Sequence, residues 1–446
     1  MGDRMTPARC IVLVFIAVIL VGAVLLYLPA ASRSGQSCGY MTALFTATSA
    51  TCVTGLTVVD TYEQWSFFGQ LVILVLMQIG GLGFMSILTV FFFMMRTRIG
   101  LKKRMLMAES LGLDSLEGIV RLIRMVLRGT ILLEGAGALI LTLRFWVDVP
   151  LGNALWLGIF HSVSAFCNAG FHLMGQFGAQ AGLDPYIADP VVNGTLMVLI
   201  IIGGIGFFVW RDVIGHKWNW KRLSVYSRLA ILISGLLLLA GWVLFAVFEW
   251  HNPGTVGELG TGQKLLATLF QSVNTRAAGF ACFSQGEMTE PAKAVSIIWM
   301  LIGGCSGSTA GGIKTVTVGI VFLAALQAIR GKRHVTVFRR TVAQSQINSA
   351  MAIVMLILFM SLTGAVILGA WEQVPMIDAV CEVVSALGTG GMSTGLTPLL
   401  TPVMKWLLIC LMFFGRVGIM TIGVGLMMSD RAEDRYRYAE TKLLIG

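Results

Sequence analysis

Ala50-Thr51-Cys52-Val53-Thr54-Gly55-Leu56 is a short, hydroxyl-rich stretch that ends in one glycine between two apolar spans. Three later stretches align with it on that glycine, namely Asn168-Ala169-Gly170, Ala277-Ala278-Gly279 and Thr389-Gly390-Gly391. The four glycines follow one another at intervals of 115, 109 and 112 residues. Such even spacing predicts a four-fold internal repeat. Residues 53–55, 168–170, 277–279 and 389–391 are called the four glycine segments below.

The composition of the chain indicates that this repeat lies in a membrane. The chain of 446 residues is 56% hydrophobic and only 12% charged, which leaves too few polar side chains to cover a globule in water. Crossing a hydrocarbon core takes roughly 20 apolar residues. Eight spans are long enough, at 11–30, 69–95, 126–147, 190–210, 228–248, 294–328, 348–370 and 403–428. The sequence therefore predicts a multi-pass membrane protein with two spans for each glycine segment.

The distribution of basic residues predicts the orientation of these spans. Of the 32 lysines and arginines, the predicted topology puts 24 on one side of the membrane and five on the other. Because cytoplasmic loops carry the excess of basic residues, both termini are predicted to be cytoplasmic. The net charge of +10 is then explained by topology and by contact with anionic membrane lipid. It requires no nucleic-acid partner.

The first span has an alternative interpretation. It follows Arg4 and Arg9 and precedes Pro29-Ala30-Ala31, which is a pattern shared by signal peptides and their cleavage sites. Cleavage would remove the first helix of the first repeat, so a retained helix is favoured.

A stretch too short to cross the membrane precedes each glycine segment, at 41–49, 155–166, 265–274 and 377–387. These stretches predict short helices within re-entrant loops. The predicted fold class is therefore an all-α membrane protein with four membrane-pore-membrane repeats and pseudo-four-fold symmetry around one pore. The repeats cover 11–95, 126–210, 228–328 and 348–428, and a cytoplasmic tail follows at 429–446.

Four such loops around one axis have the chemistry of an ion-selective filter. A ring of main-chain carbonyls can replace the water shell of a cation, and glycine permits the turn that directs those carbonyls inward. The candidate ion-binding residues are Val53, Thr54, Gly55, Asn168, Ala169, Gly170, Ala277, Ala278, Gly279, Thr389, Gly390 and Gly391. The alternative is four unrelated glycines that end helices. Side-chain oxygens of Asn168, Thr389 and Ser393 are expected to bond mainly to the nearby backbone.

The second span of the third repeat predicts a gate. Five glycines in the ten residues 303–312 are incompatible with an uninterrupted helix, because glycine destabilises helix interiors. The helix is expected to break there. The candidate gate residues are Gly303, Gly304, Cys305, Ser306, Gly307, Ser308, Thr309, Ala310, Gly311, Gly312, Lys314 and Arg416.

Arg416 stands out among the glycine-rich motifs of the second spans. Gly80-Gly81, Gly203-Gly204, Gly303-Gly304 and Gly415-Arg416 begin 25, 33, 24 and 24 residues after the glycines of their segments. A charge at that depth costs several kcal/mol unless it is paired or hydrated. We expect Arg416 to form an electrostatic barrier to cations and to contact residues 303–312. The alternative is that it satisfies carbonyls at a helix end.

Five further polar residues have structural interpretations. Lys314 is expected to bond to carbonyls freed by the break, and a direct role toward ions is the alternative. A nucleotide-binding loop is excluded because that motif has glycine directly before its lysine, whereas Ile313 precedes Lys314 here. Arg276 and Glu382 are expected to brace filter loops. Glu134 is expected to pair with a polar group on a neighbouring helix, and His161 to be a satisfied buried residue.

These motifs resemble the Trk/Ktr/HKT superfamily of potassium transporters. The resemblance rests on the stretch from Gly303 to Thr315, on Gly415-Arg416-Val417-Gly418 and on the ending Tyr438-Ala439-Glu440-Thr441-Lys442-Leu443-Leu444-Ile445-Gly446. It covers nearly the whole chain. Because only about ten residues precede the first span, the chain is most similar to the Ktr-type membrane subunit.

The resemblance implies four units around one pore, a homodimer and a cytosolic ring of nucleotide-binding regulatory subunits. It also implies that Gly55, Gly170, Gly279 and Gly391 are the filter glycines of a potassium-selective branch. By the same resemblance, residues 303–312 are the intramembrane gating loop and Arg416 is the pore arginine. The transported ion is then K⁺, with Na⁺ as a candidate coupling or activating ion, and no covalent cofactor is expected.

The chain departs from the usual family pattern at three positions. Family members commonly carry threonine at Ala277, a branched residue at Gly390 and serine at Cys305. Carbonyl lining is unaffected by these changes, but Gly390 gives the fourth loop more freedom. The degree of discrimination between potassium and sodium is therefore left open.

The sequence predicts a potassium uptake protein of the bacterial plasma membrane, with a gated, filter-lined pore and no enzymatic chemistry. A sodium-preferring or unselective cation transporter of the same fold is the alternative. A membrane enzyme would need clustered histidine, cysteine or carboxylate groups at mid-depth, and a receptor would need a sizeable soluble domain. The sequence offers neither feature.

Overall fold

The computed structural model describes residues 7–83, 119–178, 182–332 and 334–418. Within them the chain is helical, apart from one antiparallel hairpin of Thr336–Val337 with Arg340–Thr341. The predicted tail at 429–446 lies outside the described residues, as do the ends of the predicted spans 69–95 and 403–428.

The part of the chain around the first glycine segment contains four helices. They are α1 (Pro7–Tyr27), α2 (Tyr40–Cys52), the single turn α3 (Thr61–Gln64) and α4 (Phe67–Leu82). The carboxylate of Asp60 accepts hydrogen bonds from the first free N–H groups of α3, which fixes where that turn begins. Helix α2 was predicted at 41–49; it begins one residue earlier and ends three residues later.

The helices around the second glycine segment differ from prediction in one respect. They are α5 (Ile119–Phe145), α6 (Leu151–Cys167), α7 (Pro190–Gly204) and α8 (Phe207–His216). Helices α7 and α8 meet at an angle of 93°, so the prediction of one continuous span at 190–210 was wrong. The chain turns at Gly206, whose φ of +96° is a conformation that side chains disfavour and glycine adopts readily.

The helices around the third glycine segment are interrupted between Leu301 and Thr315, where the glycine-rich residues predict a break. They are α9 (Val225–Glu249), α10 (Thr261–Asn274), α11 (Glu290–Leu301) and α12 (Thr315–Ile329). No helix connects α11 to α12, so the expected break in the span 294–328 is confirmed.

The last described helices surround the fourth glycine segment. They are α13 (Gln344–Glu372), α14 (Met376–Gly388) and α15 (Pro402–Phe413), and α15 continues into a π-helical turn at Phe414–Gly418. Short 3₁₀ turns complete the described secondary structure at Pro29–Ala31, Met174–Phe177, Asp184–Tyr186, Trp220–Arg222 and Thr397–Leu399.

Length and composition identify several helices that suit a bilayer. In the described ranges, Arg121–Phe145, Val225–Glu249 and Gln344–Glu372 are long and apolar enough to cross one, and α7 with α8 makes a fourth candidate if the bent pair counts as one span. Shorter apolar helices occur at Ile11–Tyr27, Phe67–Leu82, Leu151–Cys167 and Thr315–Ile329.

Side-chain burial is inverted relative to a protein in water. Leu132, Leu236 and Phe359 on the long helices are 72%, 68% and 68% exposed, whereas Thr48 and Ser272 on the short helices are fully buried. A surface this apolar is favourable in lipid and unfavourable in water. The four short helices α2, α6, α10 and α14 therefore form the polar interior of a membrane protein.

Glycines in the spans that follow the glycine segments let the short helices pack against those spans without intervening side chains. A Cβ atom on Gly80 would collide with the carbonyl oxygen of Thr51, one on Gly203 with that of Phe166, and one on Gly415 with that of Leu387. Each of these carbonyls lies four residues before the glycine of its own segment. The glycine motifs of the second spans are therefore contact points for the ends of the short helices.

We expect Gly203→Ala to destabilise the protein more than Gly194→Ala, although both glycines lie in α7. A Cβ atom at position 203 meets the Phe166 carbonyl, whereas no atom lies within 4 Å of one at position 194. Overpacking typically costs about 1–3 kcal/mol, and alanine is favoured over glycine in a helix by up to about 1 kcal/mol. The midpoints of thermal unfolding in one detergent measure the difference; equal midpoints would contradict the packing described.

Candidate functional site

The four glycine segments share one backbone conformation. The residue two before each glycine is left-handed, with φ of +57° at Val53, +57° at Asn168, +61° at Ala277 and +51° at Thr389. The glycines follow with φ of +94° at Gly55, +72° at Gly170, +80° at Gly279 and +73° at Gly391. For the β-branched Val53 and Thr389 this conformation is strained by about 1–3 kcal/mol. Such strain persists only where the surrounding structure imposes it.

Main-chain hydrogen bonds at the helix ends impose this conformation in three segments. The N–H groups of Thr54, Ala169 and Gly390 donate over 2.8, 2.8 and 2.7 Å to the carbonyls of Ser49, Ser164 and Ser385. This six-residue closure is the Schellman motif, which ends a helix with one left-handed residue. In the third segment Ala278 instead donates to the Asn274 carbonyl over 3.1 Å.

The four glycine backbones meet at one place. A Cβ atom on Gly170 would lie 2.6 Å from the Cα of Gly279, and one on Gly279 would lie 3.2 Å from the Cα of Gly391. One on Gly391 would lie 3.2 Å from the Cα of Gly55, and one on Gly55 would lie 2.7 Å from the oxygen of Ala169. A side chain at any of the four positions would therefore intrude into the space that they share.

Several buried oxygens lie beside these glycines. Thr54 Oγ1, Asn168 Oδ1 and Thr389 Oγ1 have no hydrogen-bond partner within the described ranges. The amide nitrogen of Asn168 instead bonds to a residue 141 positions away, Thr309. The expectation that the side-chain oxygens of Asn168 and Thr389 bond to the nearby backbone was therefore wrong. Residues 303–312 fold against the second segment and supply the partner of the Asn168 amide instead.

His161 and Glu382 brace the residues that follow two of the glycine segments. Each lies nine residues before the glycine of its segment. The Nδ1 atom of His161 lies 2.8 Å from the Leu157 carbonyl, and its Nε2 atom accepts the N–H of Leu173 over 3.2 Å. His161 is thus the satisfied buried residue that was predicted, and it also fixes the chain after the second segment.

Glu382 acts in the same way on the fourth segment. Its carboxylate accepts hydrogen bonds from Ser393 Oγ at 2.6 Å, from the N–H of Thr394 at 3.0 Å and from Thr397 Oγ1 at 2.5 Å. The prediction that Glu382 braces its loop is therefore confirmed at the level of contacts. Ser393 donates to this carboxylate and also accepts the N–H of Gly395 over 3.0 Å, so the bond to the loop backbone expected for it is confirmed.

Residues 303–312 form a closed loop between α11 and α12. Ile302 and Ile313 lie side by side in a parallel bridge. The N–H of Ile313 donates to Leu301 over 3.1 Å, and that of Thr315 donates to Gly304 over 3.1 Å. The two ends of the broken helix are therefore held together while the ten residues between them leave the helix axis.

This loop packs against the bend between α7 and α8. The N–H of Cys305 donates to the Gly204 carbonyl over 2.9 Å, and the N–H of Phe207 donates to the Gly307 carbonyl over 2.7 Å. The main-chain groups that the bend leaves without helical partners thus find them in residues 303–312. The two broken spans satisfy one another, which buried backbone requires at membrane depth.

The loop also reaches the fourth glycine segment. A Cβ atom on Gly311 would lie 3.0 Å from the Cβ of Thr389, and one on Gly312 would lie 3.0 Å from the carbonyl oxygen of Gly388. Residues 303–312 therefore touch both the second and the fourth glycine segments.

Arg416 has both kinds of partner that the sequence suggested. Its Nη1 donates to the Thr309 carbonyl over 2.5 Å, and its Nη2 donates to Gly80 over 2.5 Å and to Gly81 over 3.4 Å. Gly80 and Gly81 lie at the end of α4. The guanidinium, in a residue that is 7% exposed, thus joins the end of one helix to the loop 303–312.

Two further basic residues hold the loop. Lys314 Nζ donates to the Ala310 carbonyl over 2.8 Å, a bond of the kind predicted. Arg276 Nη2 donates to Thr315 Oγ1 over 2.9 Å and lies 3.5 Å from the Gly303 carbonyl. Arg276 was expected to brace its own glycine segment, but its guanidinium spans the two ends of the break.

Glu134 has the inter-helix partner that was predicted. Both of its carboxylate oxygens accept from Gln78 Nε2 at 3.1 Å. The pair links α5 to α4 beside Cys167, whose Sγ lies 3.5 Å from the amide oxygen of Gln78. A structural role is consistent with these contacts.

We expect Glu382→Ala to lower the stability of the protein markedly. The substitution leaves Ser393, Thr394 and Thr397 without their buried acceptor, and each such hydrogen bond to a charged group contributes about 1.5–3 kcal/mol. The exposed Glu63, which accepts no hydrogen bond in the described structure, provides the matched control in Glu63→Ala. A thermal midpoint for Glu382→Ala equal to that of Glu63→Ala would show that the brace is dispensable.

Comparisons with known proteins all find cation transport proteins that are similar to this chain. The profile of the TrkH family, described as "Cation transport protein", matches residues 4–434. The potassium/sodium uptake protein NtpJ of Enterococcus hirae is 38% identical over 99% of this chain and 98% of its own length. The Ktr system potassium uptake protein B of Bacillus subtilis is 38% identical over 97% of this chain and 96% of its own length.

Solved structures agree on the fold. The crystal structure of the potassium transporter TrkH from Vibrio parahaemolyticus superimposes with a TM-score of 0.73, covering 98% of this chain and 87% of that one, at 19% identity. The match of the family profile and those of the two relatives at 38% identity extend over nearly the whole chain, so they show the family as well as the fold. This chain belongs to the TrkH family of membrane cation transport proteins.

Proposed function

We propose that this protein takes up potassium ions across the bacterial plasma membrane, through a pore whose filter is formed by the four glycine segments. The observation that carries the proposal is the convergence of Gly55, Gly170, Gly279 and Gly391. Each has positive φ, and a Cβ atom added to any of them would come within 3.0 Å of main chain from another glycine segment. Main chain from four parts of the chain can then surround one passage. Single loops could not close a ring of carbonyls.

The short helices complete this proposed filter. Helices α2, α6 and α14 each end directly before a glycine segment, and two residues separate the end of α10 from its segment. Their negative dipole ends therefore point toward the shared space and favour a cation there. We propose that they are the re-entrant helices of four pseudo-symmetric repeats, within the bounds 11–95, 126–210, 228–328 and 348–428. The shared left-handed and glycine conformations support this equivalence.

Residues 303–312 and Arg416 are the proposed gate of the pore. The loop touches the second and fourth glycine segments, and the guanidinium is held against it by the Thr309 carbonyl. A buried positive charge beside the passage opposes cations electrostatically. Displacing the loop would have to release this charge from its carbonyl partners.

The names of the relatives supply the proposed ion and partner. The Bacillus subtilis relative is a potassium uptake protein of a Ktr system, which supports potassium as the cargo and a separate regulatory component. We propose that a cytosolic nucleotide-binding ring controls the gate, that the membrane protein is a homodimer, and that both termini are cytoplasmic. No covalent cofactor is involved.

A second cargo has its own support. The Enterococcus hirae relative is named a potassium/sodium uptake protein. Gly390 in the fourth segment gives that loop more conformational freedom than a branched residue would. Sodium is therefore the alternative transported ion, and a coupling or activating role for it is compatible with potassium uptake.

Growth rescue of a potassium-uptake-deficient bacterium tests the proposal. The wild-type chain, expressed with a Ktr-type regulatory subunit, is expected to restore growth at low potassium. Gly170→Ala is expected to abolish rescue, because its Cβ would lie 2.6 Å from the Cα of Gly279. Gly178→Ala is the matched control, since Gly178 also has positive φ, at +71°, but no atom lies within 4 Å of its Cβ position.

Ion competition in the same strains distinguishes the two cargoes. Uptake of a rubidium tracer that is suppressed by potassium far more than by sodium supports the potassium assignment. Equal suppression by both ions would support the unselective alternative. Absence of rescue by a wild-type chain that reaches the membrane would contradict the proposed function.

The role of Arg416 is tested by flux through purified protein in liposomes without a regulatory partner. Arg416→Ala removes both the charge and its bonds to Thr309 and Gly80. Unregulated cation flux is therefore expected to rise about tenfold, the factor that corresponds to roughly 1.4 kcal/mol of barrier. Arg416→Lys keeps the charge and should fall between the two. Arg222→Ala, at an exposed position, is the control for loss of one arginine. Flux of Arg416→Ala equal to that of the wild type would remove Arg416 from the gate.

A further inference from the structure

Thr309 uses all of its hydrogen-bonding groups, on four separate partners. Its N–H donates to the Gly203 carbonyl over 3.2 Å. Its hydroxyl donates to the Phe166 carbonyl over 3.0 Å and accepts from Asn168 Nδ2 over 2.7 Å. Its own carbonyl accepts from Arg416 Nη1 over 2.5 Å.

The partners of Thr309 come from three different parts of the chain. Phe166 and Asn168 are the end of α6 and the first residue of the second glycine segment. Gly203 lies directly before the bend between α7 and α8, and Arg416 lies in the π-helical turn after α15. Thr309 itself is fully buried. One threonine therefore joins the loop 303–312 to a filter segment, to a helix bend and to the buried guanidinium.

We propose that the Thr309 hydroxyl couples the position of the gating loop to the geometry of the second filter segment. This inference rests on the proposed function, because it gives residues 303–312 the role of a gate and residues 168–170 that of a filter. While the loop is in place, the hydroxyl holds the Asn168 amide and the last turn of α6. When the loop leaves, both lose their partner at once.

The energetics make this coupling strong. Asn168 is buried at a φ of +57°, a conformation that depends on surrounding contacts. A buried amide donor and a buried carbonyl without partners are each costly, so loop displacement must be accompanied by water or by movement of the segment. Opening of the gate and a change in the filter are therefore one event in the second repeat.

The role of the Thr309 hydroxyl can be tested by one substitution of nearly equal volume and by two variants that complement it. Thr309→Val removes the hydroxyl, and with it the bonds to Asn168 and Phe166, while leaving the main-chain bonds to Gly203 and Arg416. Thr309→Ser keeps the hydroxyl and is the matched control. Asn168→Gly removes the amide from the other side and retains a residue that tolerates positive φ.

The first readout is independent of transport. Cys305 lies in the same loop and is fully buried, so its reaction with a water-soluble maleimide, localised by mass spectrometry in the full-length protein, reports displacement of the loop. We expect Thr309→Val to raise the rate of modification of Cys305 about tenfold over Thr309→Ser, the factor that corresponds to roughly 1.4 kcal/mol. Asn168→Gly is expected to raise the rate by less, because the bond between Thr309 and Phe166 remains. The double variant is expected to match Thr309→Val, because that substitution already removes the bond to Asn168.

Equal Cys305 rates in the wild type, Thr309→Val and Asn168→Gly would overturn the inference. So would additive effects in the double variant, because they would mean that the two side chains act separately. If Thr309→Val does not fold, Asn168→Gly and Thr309→Ser still give the comparison.

The second readout is rubidium-tracer flux in liposomes with potassium and sodium as competitors. Thr309→Val is expected to show both a higher unregulated flux and a smaller preference for potassium over sodium than Thr309→Ser. A higher flux with wild-type selectivity would contradict coupling to the filter. If the wild type conducts no cation, the proposed function fails, whereas the Cys305 rates still decide whether Thr309 holds the loop.

Discussion

The close approach of four main chains at Gly55, Gly170, Gly279 and Gly391 is the constraint on which the rest of the structure depends. Backbones can come this near only where no Cβ intervenes and where each chain turns sharply. The turn requires a left-handed residue two positions earlier, and that residue is valine, asparagine, alanine or threonine, not glycine. The strain at these positions is offset by helix-ending hydrogen bonds and by braces such as Glu382.

The same constraint explains the glycine motifs of the second helices. The short helices must end deep inside the protein for their glycine segments to meet. Their last carbonyls are therefore covered by neighbouring helices at Gly80, Gly203 and Gly415, where a side chain would prevent contact. Two of the helices that follow a glycine segment are broken. Backbone groups left unpaired at one break bond to those at the other, as the N–H of Cys305 does to the Gly204 carbonyl. The glycines at these positions thus permit close packing.

The sequence predicted the elements well because glycine is informative in an otherwise apolar chain. The four glycine segments, the short helices before them and the break at 303–312 all follow from glycine spacing and span length. The bend after α7 was missed because residues 203–212 contain three glycines, fewer than the five in 303–312 from which the other break was predicted. Helix ends differed by a few residues, since apolar composition continues past the point where a helix stops.

The contacts of the site were less predictable than its elements. The bond between Asn168 and Thr309 joins residues 141 positions apart, and a single sequence carries no signal for such a pair. His161 and Glu382 occupy equivalent places before their glycines, yet one is an imidazole and the other a carboxylate, so residue type hides the equivalence. Alignment on the glycines, followed by comparison of polar residues at equal offsets, would have found it.

Anomalous diffraction from the full-length protein crystallised with rubidium measures most directly whether cations pass between the glycine segments. Anomalous peaks are expected in the space enclosed by Gly55, Gly170, Gly279 and Gly391, in contact with main-chain oxygens of at least two segments. Peaks confined to other parts of the protein, with none between these four glycines, would contradict this expectation.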